Sequence, residues 1–284
     1  MQATTLALVG ATGGAGTTRT AVELAAMGAR GGDDVAVVDA AFTTQGLSEY
    51  VAGRIDPDLT ALLTDDTDAP LSAAAYPVAG TRDAARSGSG GERGKSRGGD
   101  GDRDGPVLSG RVDAVPARAP FERVARAKTA EAARKLEQRI DEAATTYDAV
   151  VVDAAPAGSN EAVAAATSAD RAAAVRPATA HGGDATQRLR GRIADVGGSL
   201  DATLAVEHPG AGETDGDPAA DDAGRNGSGV VRVPATDPEV RAAPTAASRG
   251  DAYARAIAVA YEAAFDASLD VEFPEQGLID RITS

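Results

Sequence analysis

The chain has 284 residues, with 43 Asp and Glu against 28 Lys and Arg, for a formal net charge of −15. It contains no cysteine, which excludes a disulfide framework and a thiolate site. So negative a charge also opposes nonspecific association with DNA or anionic lipid.

In chain order, residues 4–9 form a short apolar run ending in the glycine-rich turn GATGGAG. Leu6 to Val9 is far too short for a signal or membrane-spanning helix, so a soluble, cytoplasmic protein is expected. A helical stretch from about Thr17 to Arg30 follows, stopped by Gly31 and Gly32, and then a second apolar run, VAVVD at 35–39. Strand, glycine turn, helix and strand make a βαβ unit, and near-continuous apolar runs are what the strands of a covered parallel sheet show.

Residues 80–110 are rich in glycine and mixed charge with almost no apolar content. Such a segment cannot offset its ordering entropy, and it reads as a disordered insertion. Order resumes with a short strand at Arg111–Val115 and a helix from about Pro120 to Thr146, with Phe121, Val124, Leu136 and Ile140 on one side. The run AVVVDAAPAG gives a third buried strand ending at Asp153, and another strand lies near Ala172–Val175. A helix near Asp184–Val196 and a strand near Ala202–Val206 precede a second polar segment, 207–229, expected to be a flexible acidic loop. The strand 230–234 and a helix near Ser248–Phe265, with Tyr253, Ile257, Tyr261 and Phe265 as its core stripe, complete the chain. Strands alternating with helices throughout predict a single α/β domain over 1–284, with a doubly wound, mostly parallel sheet flanked by helices.

The candidate site begins at the loop Gly10-Ala-Thr-Gly-Gly-Ala-Gly-Thr-Thr-Arg19. Gly13, Gly14 and Gly16 allow backbone to approach a phosphate, with N–H groups directed inward at a helix N-terminus where the dipole favours an anion. The loop lacks Gly-x-Gly-x-x-Gly spacing, which disfavours a dinucleotide-binding Rossmann unit. It resembles the deviant Walker A loop of the ParA/MinD family of P-loop ATPases, Lys-Gly-Gly-x-Gly-Lys-Thr-Thr. On that pattern Gly13, Gly14, Gly16 and Thr18 match, Ala15 fills the variable place, Ala11 replaces the first Walker glycine, and Thr12 and Thr17 stand where the two lysines belong. No lysine precedes Lys95, and Arg19 is the only nearby cation. It faces either the phosphates or outward along the helix.

Two further segments fit the same resemblance. Asp39 matches the first aspartate of the family's switch I Asp-x-Asp, while Ala41 replaces the second, which helps organise the attacking water. Asp153-Ala-Ala-Pro-Ala-Gly158 matches the Walker B and switch II motif Asp-x-x-Pro-x-Gly throughout. Such a carboxylate holds Mg²⁺ through water, and Gly158 lets the switch move with the γ-phosphate. Val233-Pro234 and the loop after it resemble the family's late strand and loop, which pack against the base. The asparagine that reads adenine is absent, its place taken by Glu207 and His208. His208 and His181 lie in polar loops without a metal-ligand constellation.

The resemblance therefore implies a P-loop NTPase fold with ATP or ADP and Mg²⁺ as ligands, bound weakly or not at all. Asp39 and Asp153 would be its catalytic-side residues. Gly13, Gly14, Ala15, Gly16, Thr17, Thr18, Arg19 and Pro234 would meet nucleotide, and Thr18 and Asp153 would meet the metal. Three readings stay open: a pseudo-ATPase in partitioning or spatial positioning that pairs with itself or an active paralogue, a Mg²⁺-ATPase using Arg19 in place of the lysine, and an interaction module that binds no nucleotide. Lysine occurs only at 95, 128 and 135. Excess carboxylate, scarce lysine and an alanine-rich core fit a haloarchaeal member working in molar salt, where screening acts over roughly 3 Å. The tail 276–284 has a small apolar face (Leu278, Ile279, Ile282) with little charge, weak for membrane binding. Arg241, Arg249 and Arg255 are candidates for touching DNA, or solvated surface arginines.

Overall fold

A computed structural model describes residues 3–65, 67–83, 107–156, 158–208 and 229–273. Most of the expected insertion at 80–110, nearly all of the acidic loop at 207–229 and the tail 276–284 lie outside the described residues.

Strands β1 (Thr4–Gly10), β2 (Val35–Ala40), β3 (Tyr76–Pro77), β6 (Val112–Val115), β7 (Ala149–Ala154), β8 (Arg171–Pro177), β9 (Ala202–Val206) and β10 (Val230–Val233) form one sheet. Its order is β10-β9-β8-β1-β7-β2-β6-β3, parallel except where β3 pairs antiparallel with β6. A separate parallel pair, β4 (Arg82–Asp83) and β5 (Val107–Leu108), lies outside this sheet. The helices are α1 (Thr17–Gly31), α2 (Leu59–Thr64), α3 (Phe121–Ala127), α4 (Ala130–Thr146), α5 (Asn160–Ser168), α6 (Ala180–Asp195) and α7 (Ala252–Phe265).

Side-chain alternation splits the core into two layers. Leu6, Leu8, Val35, Val37 and Val151 enter one layer with α1 and α7, while Ala7, Val9, Val38, Val150 and Val152 enter the other with α4 and α5. Helix α1 is buried at every position from Thr20 to Ala29, as a helix enclosed between a sheet and another helix must be. The stripe on α7 is buried as its four-residue spacing requires, and Tyr261 stacks on Phe265 at 4.4 Å.

Several element boundaries differ from the sequence expectation. The single helix expected over 120–146 is two, divided at Lys128–Thr129, where the Thr129 hydroxyl caps α4 by accepting from Ala132 N at 3.3 Å. Phe121, the first residue of α3, is 87% exposed, whereas Val124 in the same helix and Leu136 and Ile140 in α4 are buried. Helix α6 starts four residues early because Thr179 caps it, accepting from Gly182 N at 3.1 Å. Helix α7 starts four residues late, at the Asp251 cap.

Candidate functional site

The C-terminal tips of β1, β7 and β2 are neighbours in the sheet, so the segments that follow them meet at one edge. After β1 the chain turns through Gly10–Gly16 into α1. Ala11 N donates to Val175 O at 2.8 Å, Ala15 is buried beneath the loop, and Gly13 and Gly14 are exposed. Gly14 (φ 72°) and Gly16 (φ 84°) are left-handed, and Gly16 is the N-cap of α1. That alternation makes a concavity of backbone amides at a helix start, a form that suits an anion. Gly16→Ala should destabilise the fold by about 1 kcal/mol through its positive φ, although its Cβ would meet only ordinary van der Waals contacts, His208 at 3.9 Å and Val206 at 4.0 Å. It should also weaken binding of any phosphate ligand, as denaturant titration and calorimetry would show.

The two threonines in place of lysines do not supply a charge. The Thr17 hydroxyl folds back over the loop, 2.9 Å from where a Cβ on Gly10 would sit. Thr12 is half-buried, with its carbonyl also close over Gly10. Arg19 points along the helix surface. Its Nε donates to Glu23 at 2.7 Å, Nη2 to the Thr245 hydroxyl at 2.5 Å, and Nη1 to the carbonyls of Asp237 and Glu239 at 3.1 and 3.2 Å. Burial works against the Arg19 charge, but Glu23, together with Tyr253 and Tyr50, offsets it and the guanidinium pKa is raised. Glu23 is itself fully buried and also accepts from Thr245 N and Ala246 N, both at 2.7 Å.

Asp39 and Asp153 end neighbouring strands in direct register. Both are buried, at 0% and 1% exposure. Asp39 accepts from Ala41 N at 2.9 Å and from Ala117 N at 3.2 Å. Both Asp153 oxygens are buried without a hydrogen-bond partner; the Thr18 hydroxyl lies within electrostatic reach but not in hydrogen-bonding geometry. Burial pushes the pKa of each carboxyl up, and the charge of Asp153 pushes Asp39 further. Two buried carboxylates, one unsatisfied, beneath a threonine at a helix start suit a hard cation that takes oxygen ligands. Thr18 and Asp153 would hold Mg²⁺ there, with Asp39 behind them. No cluster of three metal-ligating side chains occurs among the described residues, so water or phosphate oxygens would complete such a site.

The loop after β2 crosses this edge. Gly46 approaches Thr18, whose Oγ1 lies 3.4 Å from its Cβ position, and the Gln45 side chain holds Ala119 through both N–H (2.7 Å) and C=O (3.0 Å). On the other side of the loop, at the ends of β9 and β10, lies a cavity of about 410 Å³. Its walls include Val206, Val233, Pro234, Pro238 and Tyr253, with Arg19 at its rim, and they suit a flat heteroaromatic ring. His208 closes one side, its Nε2 donating to Gly14 O at 3.1 Å. Glu207 is occupied by Arg232 at 2.5 Å.

The structure thus brings together Gly13, Gly14, Gly16, Thr18, Asp39 and Asp153 at the loop, and places Pro234 and Arg19 in the cavity wall. The sequence assigned no role to Glu23 or to Gln45, because their partners lie 222 and 74 positions away. The candidate DNA-contacting arginines are paired. Arg241 meets Glu239, Arg249 meets Asp251 at 3.7 Å, and Arg255 lies 5.1 Å over the Phe273 ring. Among the described residues no helix is long and apolar enough to cross a membrane.

No protein-family model and no curated protein matches the chain. Its structure is similar to that of the septum site-determining protein MinD from Pyrococcus horikoshii complexed with Mg-ADP, with a TM-score of 0.60 and 19% identity over 82% of this chain and 81% of that one. It is similar to an ATP complex of a McdA variant from Cyanothece, with a TM-score of 0.60 and 16% identity over 95% and 99%. Cobyrinic acid a,c-diamide synthase from Mycobacterium smegmatis, bound to an ATP analogue and magnesium, gives 0.51 and 15% over 72% of each chain. The fold is the mostly parallel, helix-flanked sheet of the MinD- and ParA-like P-loop NTPases.

Proposed function

We propose that this chain binds a Mg²⁺–adenine nucleotide weakly, hydrolyses it little or not at all, and serves as a nucleotide-responsive scaffold in spatial positioning by pairing with itself or with an active paralogue. One observation carries the reading: Asp153, with both oxygens buried and unpartnered, lies under Thr18 beside a loop of left-handed glycines. That arrangement is unfavourable by itself and becomes favourable when a cation and an anion are bound together.

The loop amides would take the phosphates and the cavity at Val206, Val233 and Pro234 the base. A bound Mg²⁺ would neutralise phosphate charge and fix its orientation. Asp39 stabilises the site through Ala41 N and Ala117 N. Thr12, Thr17 and Ala41 stand where a charge or a water-orienting carboxylate would act on the transition state. Losing one such group costs ~3–4 kcal/mol, or about 10²–10³ in rate.

Titration calorimetry with ATP and with ADP, with and without Mg²⁺ in molar KCl, tests the reading. Binding of both that strengthens with Mg²⁺, and no turnover above background, is the expected result. Turnover that requires Mg²⁺ and disappears in Asp153→Ala would overturn the non-hydrolysing assignment. Silence with both nucleotides would leave only an interaction module. The variant that places Arg19 on the phosphates has little geometric support, since Glu23, Thr245 and two carbonyls already occupy its guanidinium.

A further inference from the structure

We propose that Lys128 supplies the fixed positive charge for the terminal phosphate that Thr12 and Thr17 cannot provide. This rests on the nucleotide reading above and assigns a residue to its distal end.

The direction of the ligand follows from the sheet order. The apolar cavity sits at the ends of β9 and β10, to one side of the loop after β1, and the Asp39–Asp153 pair sits on the other side, at β2 and β7. A nucleotide with its base in the cavity and its phosphates on the loop therefore runs toward β7 and β2. Its last phosphate reaches the segments that follow those strands.

Lys128 joins those two segments. It occupies the break between α3 and α4, and its Nζ donates to the Thr43 hydroxyl at 3.0 Å in the segment after β2. The same Nζ lies 3.3 Å from Glu161 at the start of α5, after β7. The Glu161 side chain is 1% exposed, and neither of its oxygens makes a hydrogen bond, so the ion pair is its partner. Asn160 Nδ2 donates to the Lys128 carbonyl at 2.9 Å, which fixes the backbone of the break. The Lys128 side chain keeps 35% exposure, so the ammonium is anchored yet open to a ligand. Of the two lysines among the described residues the other, Lys135, pairs with Glu131 on the outer face of α4. An anion entering beside the carboxylates of Asp39 and Asp153 needs a local cation, and a flexible ammonium with three donors can hold Glu161, Thr43 and a phosphate oxygen together.

The test compares wild type, Lys128→Met and Lys128→Arg by calorimetry with Mg²⁺–ATP and Mg²⁺–ADP in molar KCl, with a nucleotide-free melting curve for each. Lys128→Met should weaken ATP about tenfold or more, the size of one charge-assisted hydrogen bond, while ADP changes less than about twofold. Lys128→Arg should restore part of the ATP affinity. Equal loss for both nucleotides, or no loss for either, would overturn the assignment while leaving nucleotide binding intact. If wild type binds neither nucleotide, the underlying reading fails and this one with it. A nucleotide-free melting temperature that falls while the ATP-to-ADP ratio holds would make Lys128 a strap between two segments and nothing more.

Discussion

In mildly alkaline buffer without divalent cation, Asp153→Asn should melt at a higher temperature than wild type. The buried Asp39–Asp153 pair holds protons more tightly in the folded state than in the unfolded chain, through desolvation and mutual repulsion. Between the ordinary carboxylate range and the raised folded values the native state binds more protons, so its stability falls as pH rises through that window. The neutral amide removes one charge and releases Asp39 from the repulsion. The gain should be on the order of 2 kcal/mol above neutrality and should vanish below about pH 4, where both states are protonated. Asn suits position 153 because no hydrogen bond to either oxygen is lost, whereas at position 39 it would turn an NH₂ toward Ala41 N or Ala117 N. The variant should also lose the stabilisation that Mg²⁺–ATP gives wild type. Thermal melts at several pH values, with and without Mg²⁺–ATP, check both halves. An Asp153→Asn protein less stable than wild type at every pH would show that the pair is not under electrostatic strain.

Glu23→Ala is expected to have the opposite and larger effect, a loss of about 3–5 kcal/mol. It strands the partly buried Arg19 and leaves Thr245 N and Ala246 N without an acceptor. Glu23→Gln keeps one carbonyl acceptor and should lose less. Because Arg19 also holds the carbonyls of Asp237 and Glu239, the alanine variant should loosen the wall that carries Pro234 and Pro238 and weaken nucleotide binding beyond its effect on stability. Denaturant unfolding in molar KCl reads the first effect, and calorimetry under folding conditions the second. The pair is buried, so salt should change the loss little. A loss below about 1 kcal/mol would mean that the segment 234–247 is held by other contacts.

Much of this arrangement was legible in the sequence for a simple reason. Strands covered on both faces must be apolar throughout, so VAVVD and AVVVD announce themselves, and their terminal aspartates mark the strand tips. The order loop, Asp39, Asp153 then gives the doubly wound sheet. What stayed hidden depends on partners distant in the chain. Glu23 looks like one more polar residue on a helix until Thr245 and Ala246 fold over it. Lys128 falls in a stretch with a continuous helical pattern, and only the Thr129 cap reveals a break there. Phe121 opens α3 directly after Pro120, and spacing alone does not distinguish a residue at a helix start from Val124 in the turn that packs.

The full enclosure of α1 has a consequence in time. Its amides can meet water only when both the sheet and α7 give way, so it belongs to the last part of the molecule to open. The glycine loop is spliced directly onto this enclosed element, whereas Thr43 and Glu161 lie in the segments after β2 and β7 and are joined through Lys128. The anion cradle is therefore a slow, stationary anvil, which a bound phosphate meets without waiting for the loop to form.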